Sequence, residues 1–183
     1  MWKPNLKIFN FIHVAITLFI FFGCSEPITV TKMSFPGDIE MVYDRKEPCL
    51  NCDGEIIFYL DGTKHSLYAF TDKTIHWKKF AQEYPELDVK IYLANNLPKG
   101  INSLSEVITF FEKSDFPYRV YWDPGNIFYE INNLDNVAGE NKTFQIYLVK
   151  ENQVLCSHDF GIPSLREKQL EEHFGMKPVR SKL

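Results

Sequence analysis

A chain of 183 residues, 45% hydrophobic and with sixteen Phe and nine Tyr, is long and apolar enough to bury a core of ordinary size, which argues against a disordered polypeptide. The net charge is −4, and two lysines with no acid among the first 23 residues leave the remainder near −6. An acidic domain without a Lys/Arg cluster argues against nucleic acid as a partner.

The first elements are at the N-terminus. Met1 to Lys7 carries two lysines, Ile8 to Phe22 is almost wholly apolar, and Gly23-Cys24 follows. This is the charged, apolar and small-residue order of a secretory signal. A cysteine directly after the small residue resembles the lipobox of bacterial lipoproteins, in which that cysteine is acylated, with palmitate among the chains, and becomes the mature N-terminus. The resemblance implies removal of residues 1–23, lipidation of Cys24, and a domain outside the cytoplasm, tethered to a membrane of the cell envelope. The alternative is an uncleaved anchor, but a run of about 15 residues containing Asn10 and His13 is short of the roughly 20 that span a bilayer. Both readings export the domain, so Cys49, Cys52 and Cys156 would meet a compartment that permits disulfides.

Residues 24–38 read as a tether that becomes ordered, with Ile28 to Met33 alternating like an added edge strand. The domain is expected over 39–177 and a flexible tail over 178–183, fraying from Met176. Glu40–Tyr43 is a short strand, and Asp44–Gly54, with Pro48, a loop. Glu55–Leu60 is the central strand, turning at Asp61-Gly62-Thr63 into a long amphipathic helix ending near Tyr84. Its inner face holds Leu67, Phe70, Trp77, Phe80, Ala81 and Tyr84. Pro85 ends it. Asp88–Ala94 is a strand, and Ser103-Leu-Ser-Glu106 is a capping box opening a helix with Leu104, Val107, Ile108 and Phe111 inward. Pro117–Tyr121 is a strand, Asp123-Pro-Gly125 a turn, and Asn126–Asn132 a short helix. Thr143–Val149 and Gln153–His158 form a hairpin around Lys150-Glu-Asn152. Ser164-Leu-Arg-Glu167 reads as a second capping box, for a final helix with Leu165, Leu170 and Phe174 inward.

The strand–helix alternation predicts an α/β fold: a central mixed sheet, helices on both faces and extra N-terminal strands. That order resembles the thioredoxin-like fold, with the insertion seen in peroxiredoxins and membrane-anchored TlpA-type proteins. Ile56–Gly62 with Trp77-Lys-Lys-Phe80, Phe116–Gly125 and Thr143–Leu155 carry the resemblance, over residues 55 to 174. In those families a Cys-x-x-Cys pair sits at the helix start, which here falls on Lys64 to Tyr68. The facing cis-proline falls near Asn141-Lys142, just before Thr143. Neither position holds the family's residue, so the redox site is degenerate.

Chemistry is then sought elsewhere. Cys49-Leu-Asn-Cys52 has redox spacing but precedes the central strand, where a thiolate gains nothing from the helix N-terminus. A local disulfide or two reduced thiols stapling a loop are the plain readings, and a relocated redox pair lying beside His65 or Ser66 the sharp one. Cys49, Cys52, Cys156 and His158 could compose a zinc site only in tetrahedral geometry; without a second Cys-x-x-Cys, a core thiol and a packed imidazole are preferred, and no metal or other cofactor is expected. Lys64-His65-Ser66 at the helix start could hold an anion or small ligand; plainly read, Ser66 or Thr63 caps the helix while Lys64 and His65 are solvated. Asp61, Glu83, Glu86 and Asp88 read as scattered surface charge, and Tyr118, Tyr121 and Trp122 as core. Binding or accessory work at the envelope, with an envelope protein or small ligand as partner, is the expectation; thiol–disulfide exchange through Cys49 and Cys52 is the alternative.

Overall fold

The computed structural model describes residues 31–44, 52, 54–71, 75–136, 142–158 and 160–179. The signal-like segment 1–23, Cys24, Cys49 and Asn141 lie outside them. Among the described residues, no helix is long and apolar enough to cross a membrane.

Six strands form one mixed sheet in the order β1-β4-β3-β2-β5-β6. They are β1 (Glu40–Tyr43), β2 (Gly54–Asp61), β3 (Leu87–Ala94), β4 (Arg119–Asp123), β5 (Phe144–Lys150) and β6 (Gln153–Ser157). The β2–β3 and β3–β4 pairs are parallel, whereas β1–β4, β2–β5 and β5–β6 are antiparallel. Strand β2 explains the layering. Its alternate residues Ile56, Phe58 and Leu60 enter one core and Ile57 and Tyr59 another, so a nearly continuous apolar run marks a strand buried on both faces.

The larger core packs under α1 (Trp77–Glu83), α2 (Leu104–Lys113) and α4 (Pro163–Phe174). The smaller one is closed by α3 (Ile127–Ile131), Leu134, Met33 and Ile39. The expected mixed sheet with helices on both faces is present. Lys32 bridges Gln153 beyond β6, so the segment read as a tether is already ordered there, with Met33 buried. The hairpin closes through Glu151 and Asn152, both at positive φ (51° and 64°), matching the twist of the flanking strands.

Several local expectations are corrected. No helix runs from the β2 turn to Tyr84. A 3₁₀ turn covers Leu67–Phe70 and is stopped by Thr71, which is extended at φ −78°, ψ 152° and whose Oγ1 donates back to the Tyr68 carbonyl at 2.9 Å. The helix resumes only as α1. The inner face was nevertheless correct: Leu67, Phe70, Trp77, Phe80 and Tyr84 are all buried. Trp77 Nε1 donates to the Phe70 carbonyl at 3.1 Å across the break, tying the two pieces together. Ser103 caps α2 as expected, accepting from the Glu106 N–H. The second capping box is not used: α4 begins at Pro163, whose missing N–H costs nothing at a first helical position. Nor does the chain fray from Met176. Gly175 ends α4 in the left-handed region, Met176 is buried, and the Val179 N–H donates to the Glu83 carbonyl at 2.9 Å.

Asp123 is the polar keystone of the smaller core. It is 1% exposed, and its two carboxylate oxygens accept the Ile127 and Phe128 N–H groups at 2.9 and 2.8 Å, satisfying donors that the start of α3 leaves open. Asp123→Ala would bury both donors unpaired, and urea denaturation should show a loss of about 2–3 kcal/mol.

Candidate functional site

The C-terminal end of β2 gathers three distant stretches. The Asp61 N–H donates to the Thr143 carbonyl (2.8 Å) and the Gly62 N–H to the Ala94 carbonyl (3.0 Å). A Cβ on Gly62 would lie 1.8 Å from the Asn96 carbonyl oxygen, so only glycine lets the loop after β3 pass this close. Asp61 Oδ1 then accepts from both the N–H (2.8 Å) and the hydroxyl (2.7 Å) of Thr63, and the Asp61 carbonyl accepts the N–H groups of Lys64 and His65. This self-bonded turn delivers His65 to a fixed place.

His65 is the hub. Its Nε2 is 2.7 Å from Thr143 Oγ1, its ring centroid lies 5.7 Å from that of Phe144, and its carbonyl accepts the Lys99 N–H at 2.8 Å. It is partly buried rather than solvated, which corrects the plain expectation for this residue. Lys64 is exposed as expected, and Ser66 caps the 3₁₀ turn by accepting from the Tyr68 N–H at 3.3 Å. Asp61 and Asp88 are not surface charge either. Asp61 is tied into the turn, and Asp88, 4% exposed, pairs with Arg119 at 3.3 Å.

The charge balance follows from these contacts. Burial lowers the His65 pKa, nearby Asp61 opposes this, and Lys99 adds to it; the net result is below the ordinary imidazole value. For Asp61 burial acts upward, and the Thr63 and Asn95 hydrogen bonds with Lys64 outweigh it, so the carboxylate is favoured. Behind the turn, on the opposite sheet face, the Tyr59 hydroxyl donates to Asn126 Oδ1 at 2.9 Å and the Tyr129 ring lies 4.9 Å from that of Tyr59. Burial and Asp135 push the Tyr129 phenol up to about 12, so it stays a neutral donor at physiological pH. The site therefore offers an imidazole, two lysines and hydroxyls, with no thiol.

Thr143, Lys99 and Asp61 were not singled out as site residues from the sequence. Thr143 follows the position where the family resemblance puts the cis-proline, and that was the only available signal. Cys52 and His65 are not brought together. Cys52 lies before β2 and His65 beyond its other end, so eight strand residues, about 26 Å, separate them. Cys52 is disulfide-bonded and lines a cleft of about 250 Å³ with Gly54, Glu55 and Val149 to Asn152. Cys156 is a buried thiol in the larger core. His158 is packed as expected, its Nδ1 against Gln169 Oε1. Among the described residues no group of three or more His, Cys, Asp or Glu could hold a metal.

A depressed His65 pKa means that the unfolded chain binds more protons in this range, so stability is full above the unfolded value near 6.5 and falls as pH drops through the folded one. NMR titration should place the His65 pKa below 6.5, Lys99→Gln should raise it, and His65→Gln should flatten this part of the stability–pH profile.

No protein-family model matches the chain, and no curated protein matches it in sequence. Solved structures do resemble it. An uncharacterized conserved protein from Geobacillus kaustophilus superposes with a TM-score of 0.58 at 15% identity, over 86% of this chain and 88% of that one. A hypothetical protein from Sinorhizobium meliloti gives 0.55 at 12% identity, over 86% and 91%. A thioredoxin-like protein solved in its oxidized form gives 0.50 at 10% identity, over 81% and 98%. With β2, β3 and β4 parallel and the β5–β6 hairpin antiparallel beside them, the chain has the thioredoxin-like fold.

Proposed function

We propose that this is an exported thioredoxin-like lipoprotein of the TlpA-like kind, tethered to an envelope membrane through lipid on Cys24, which works by binding an envelope protein or small ligand and not by thiol exchange. One observation carries the reading: the His65–Thr143 hydrogen bond stands where the resemblance places a thiol pair and its facing proline. A thioredoxin mechanism needs a thiolate at this place and a second thiol to resolve the mixed disulfide. Lys64, His65, Ser66 and Thr143 supply hydrogen-bond donors and acceptors, and Lys64 a charge, which suits recognition.

The disulfide on Cys52, beside an open cleft, favours a second reading as a thiol–disulfide oxidoreductase using Cys49 and Cys52. The two differ in an insulin-reduction assay. The binding reading expects no rate that depends on these cysteines; turnover that disappears in both Cys49→Ser and Cys52→Ser would replace it with the second.

The tether has its own consequence. Lipid joined through the Cys24 sulfur leaves that residue no thiol, so Cys52 must then pair with Cys49. A palmitate analogue should label the wild type and not Cys24→Ala, and mass spectrometry of the labelled protein should find the 49–52 disulfide. Equal labelling of both proteins would remove the lipoprotein assignment.

A further inference from the structure

The end of the sheet that holds His65 is basic, although the whole chain carries a net charge of −4. Strand pairing brings three separate segments there, and each has an exposed lysine: Lys64 in the turn after β2, Lys99 in the loop after β3 and Lys142 just before β5. The Lys99 N–H donates to the His65 carbonyl at 2.8 Å, and Thr143, next to Lys142, holds the imidazole at 2.7 Å. The carboxylates at this end do not cancel these charges. Asp61 is engaged by Thr63 and Asn95, and Asp135 reaches only Lys142, at 3.8 Å with both side chains more than half exposed. Lys64 and Lys99 form no ion pair among the described residues.

The imidazole completes the set. Among the described residues only its Nε2 is engaged. With the Thr143 hydroxyl as donor to that nitrogen, the neutral ring carries its proton on Nδ1, a donor for an incoming acceptor. The charged groups facing the ring are Asp61, from its own turn, and Lys99, from the loop after β3. Lys99 opposes the imidazolium, so an anion seated beside it would relieve that repulsion and favour protonation. Tyr68, three residues further on and 63% exposed, adds an aromatic ring nearby. Ammonium groups carried by three segments are spread over a surface, and they match carboxylates spaced along a chain better than one small anion.

We propose that the His65 surface docks an acidic peptide segment of a partner protein, whose carboxylates are met by Lys64, Lys99 and the His65 ring. The proposal rests on the binding function assigned to this site and names its ligand class.

The test is fluorescence anisotropy of the full chain at low salt, with labelled deca-aspartate as probe and a Gly-Ser decapeptide as control. Saturable binding of deca-aspartate alone is expected, weakened about threefold by Lys64→Gln or Lys99→Gln and about tenfold by the two together, the scale of exposed ion pairs. Both lysines are exposed, so these variants should keep the wild-type melting temperature. Lys78→Gln should bind as the wild type does, since Lys78 pairs with Asp115 at the opposite end of the sheet. Binding should tighten from about pH 7.5 to about 5.5, where the peptide stays ionised while His65 gains a proton, and His65→Gln should remove that gain.

Absence of saturable binding, equal binding of the control, an undiminished affinity in the double variant, or an equal loss in Lys78→Gln would overturn the proposal. Saturable binding of succinate that moves the His65 NMR signals, without binding of deca-aspartate, would give the site to small carboxylates and likewise reject the peptide. Failure of deca-aspartate with insulin reduction still independent of Cys49 and Cys52 would reject the ligand class and leave the binding function standing. Reduction that depends on those cysteines would remove the function and the proposal together.

Discussion

Strand β2 must satisfy hydrogen bonds on both edges and bury side chains on both faces, and the rest of the fold answers those four demands. Its edges are met by β3 in parallel and β5 in antiparallel. One face is covered by an aromatic cluster in which Phe58 meets Phe70, Trp77 and Phe160 edge to face at 5.3 to 5.8 Å. The other is covered by the smaller core, where Tyr92 stacks on Phe128 and Tyr121. A strand held on four sides has a fixed register, because a slip of one residue would exchange the two faces. Both ends of β2 are therefore rigid platforms. One presents His65, and the other lies beside Cys52.

The break between the 3₁₀ turn and α1 bears on the chemistry. A thiolate site at a helix start draws on the aligned dipoles of a continuous helix. Here the residues after His65 form four residues of 3₁₀ turn, and the seven-residue α1 begins twelve positions after His65. The packing face is continuous across the break, since Leu67, Phe70 and Trp77 all fill the larger core, but no continuous helix dipole points at the turn that holds His65. The His65–Thr143 bond occupies the junction instead, joining the β2 turn to the start of β5 with one polar contact.

Much of the architecture was legible because burial imposes period. The two-faced apolar run of β2, the alternation in β5 and β6, and the inward stripe of α2 each follow from spacing alone. Helix boundaries were less legible. Thr71 stops the 3₁₀ turn through a bond from its own hydroxyl to the Tyr68 carbonyl, and hydrophobic spacing does not register such a bond. The α4 start was misread for a similar reason: Ser164 and Glu167 have the pattern of a cap, but Pro163 already occupies the first helical position. In the site, Lys64, His65 and Ser66 were found because they follow the central strand. Thr143 was not, since 78 residues separate it from the histidine it contacts.

By itself the sequence determined the strands, the inward residues of the helices and the absence of cysteine at the expected redox position, because these depend on residue type and local period. Tertiary structure alone decided which residues share a site. Pairing β2 with β5 brought Thr143 to His65, the close passage at Gly62 brought Lys99 beside them, and the eight-residue length of β2 kept Cys52 away. Those are consequences of strand pairing between distant segments, and no local pattern encodes them.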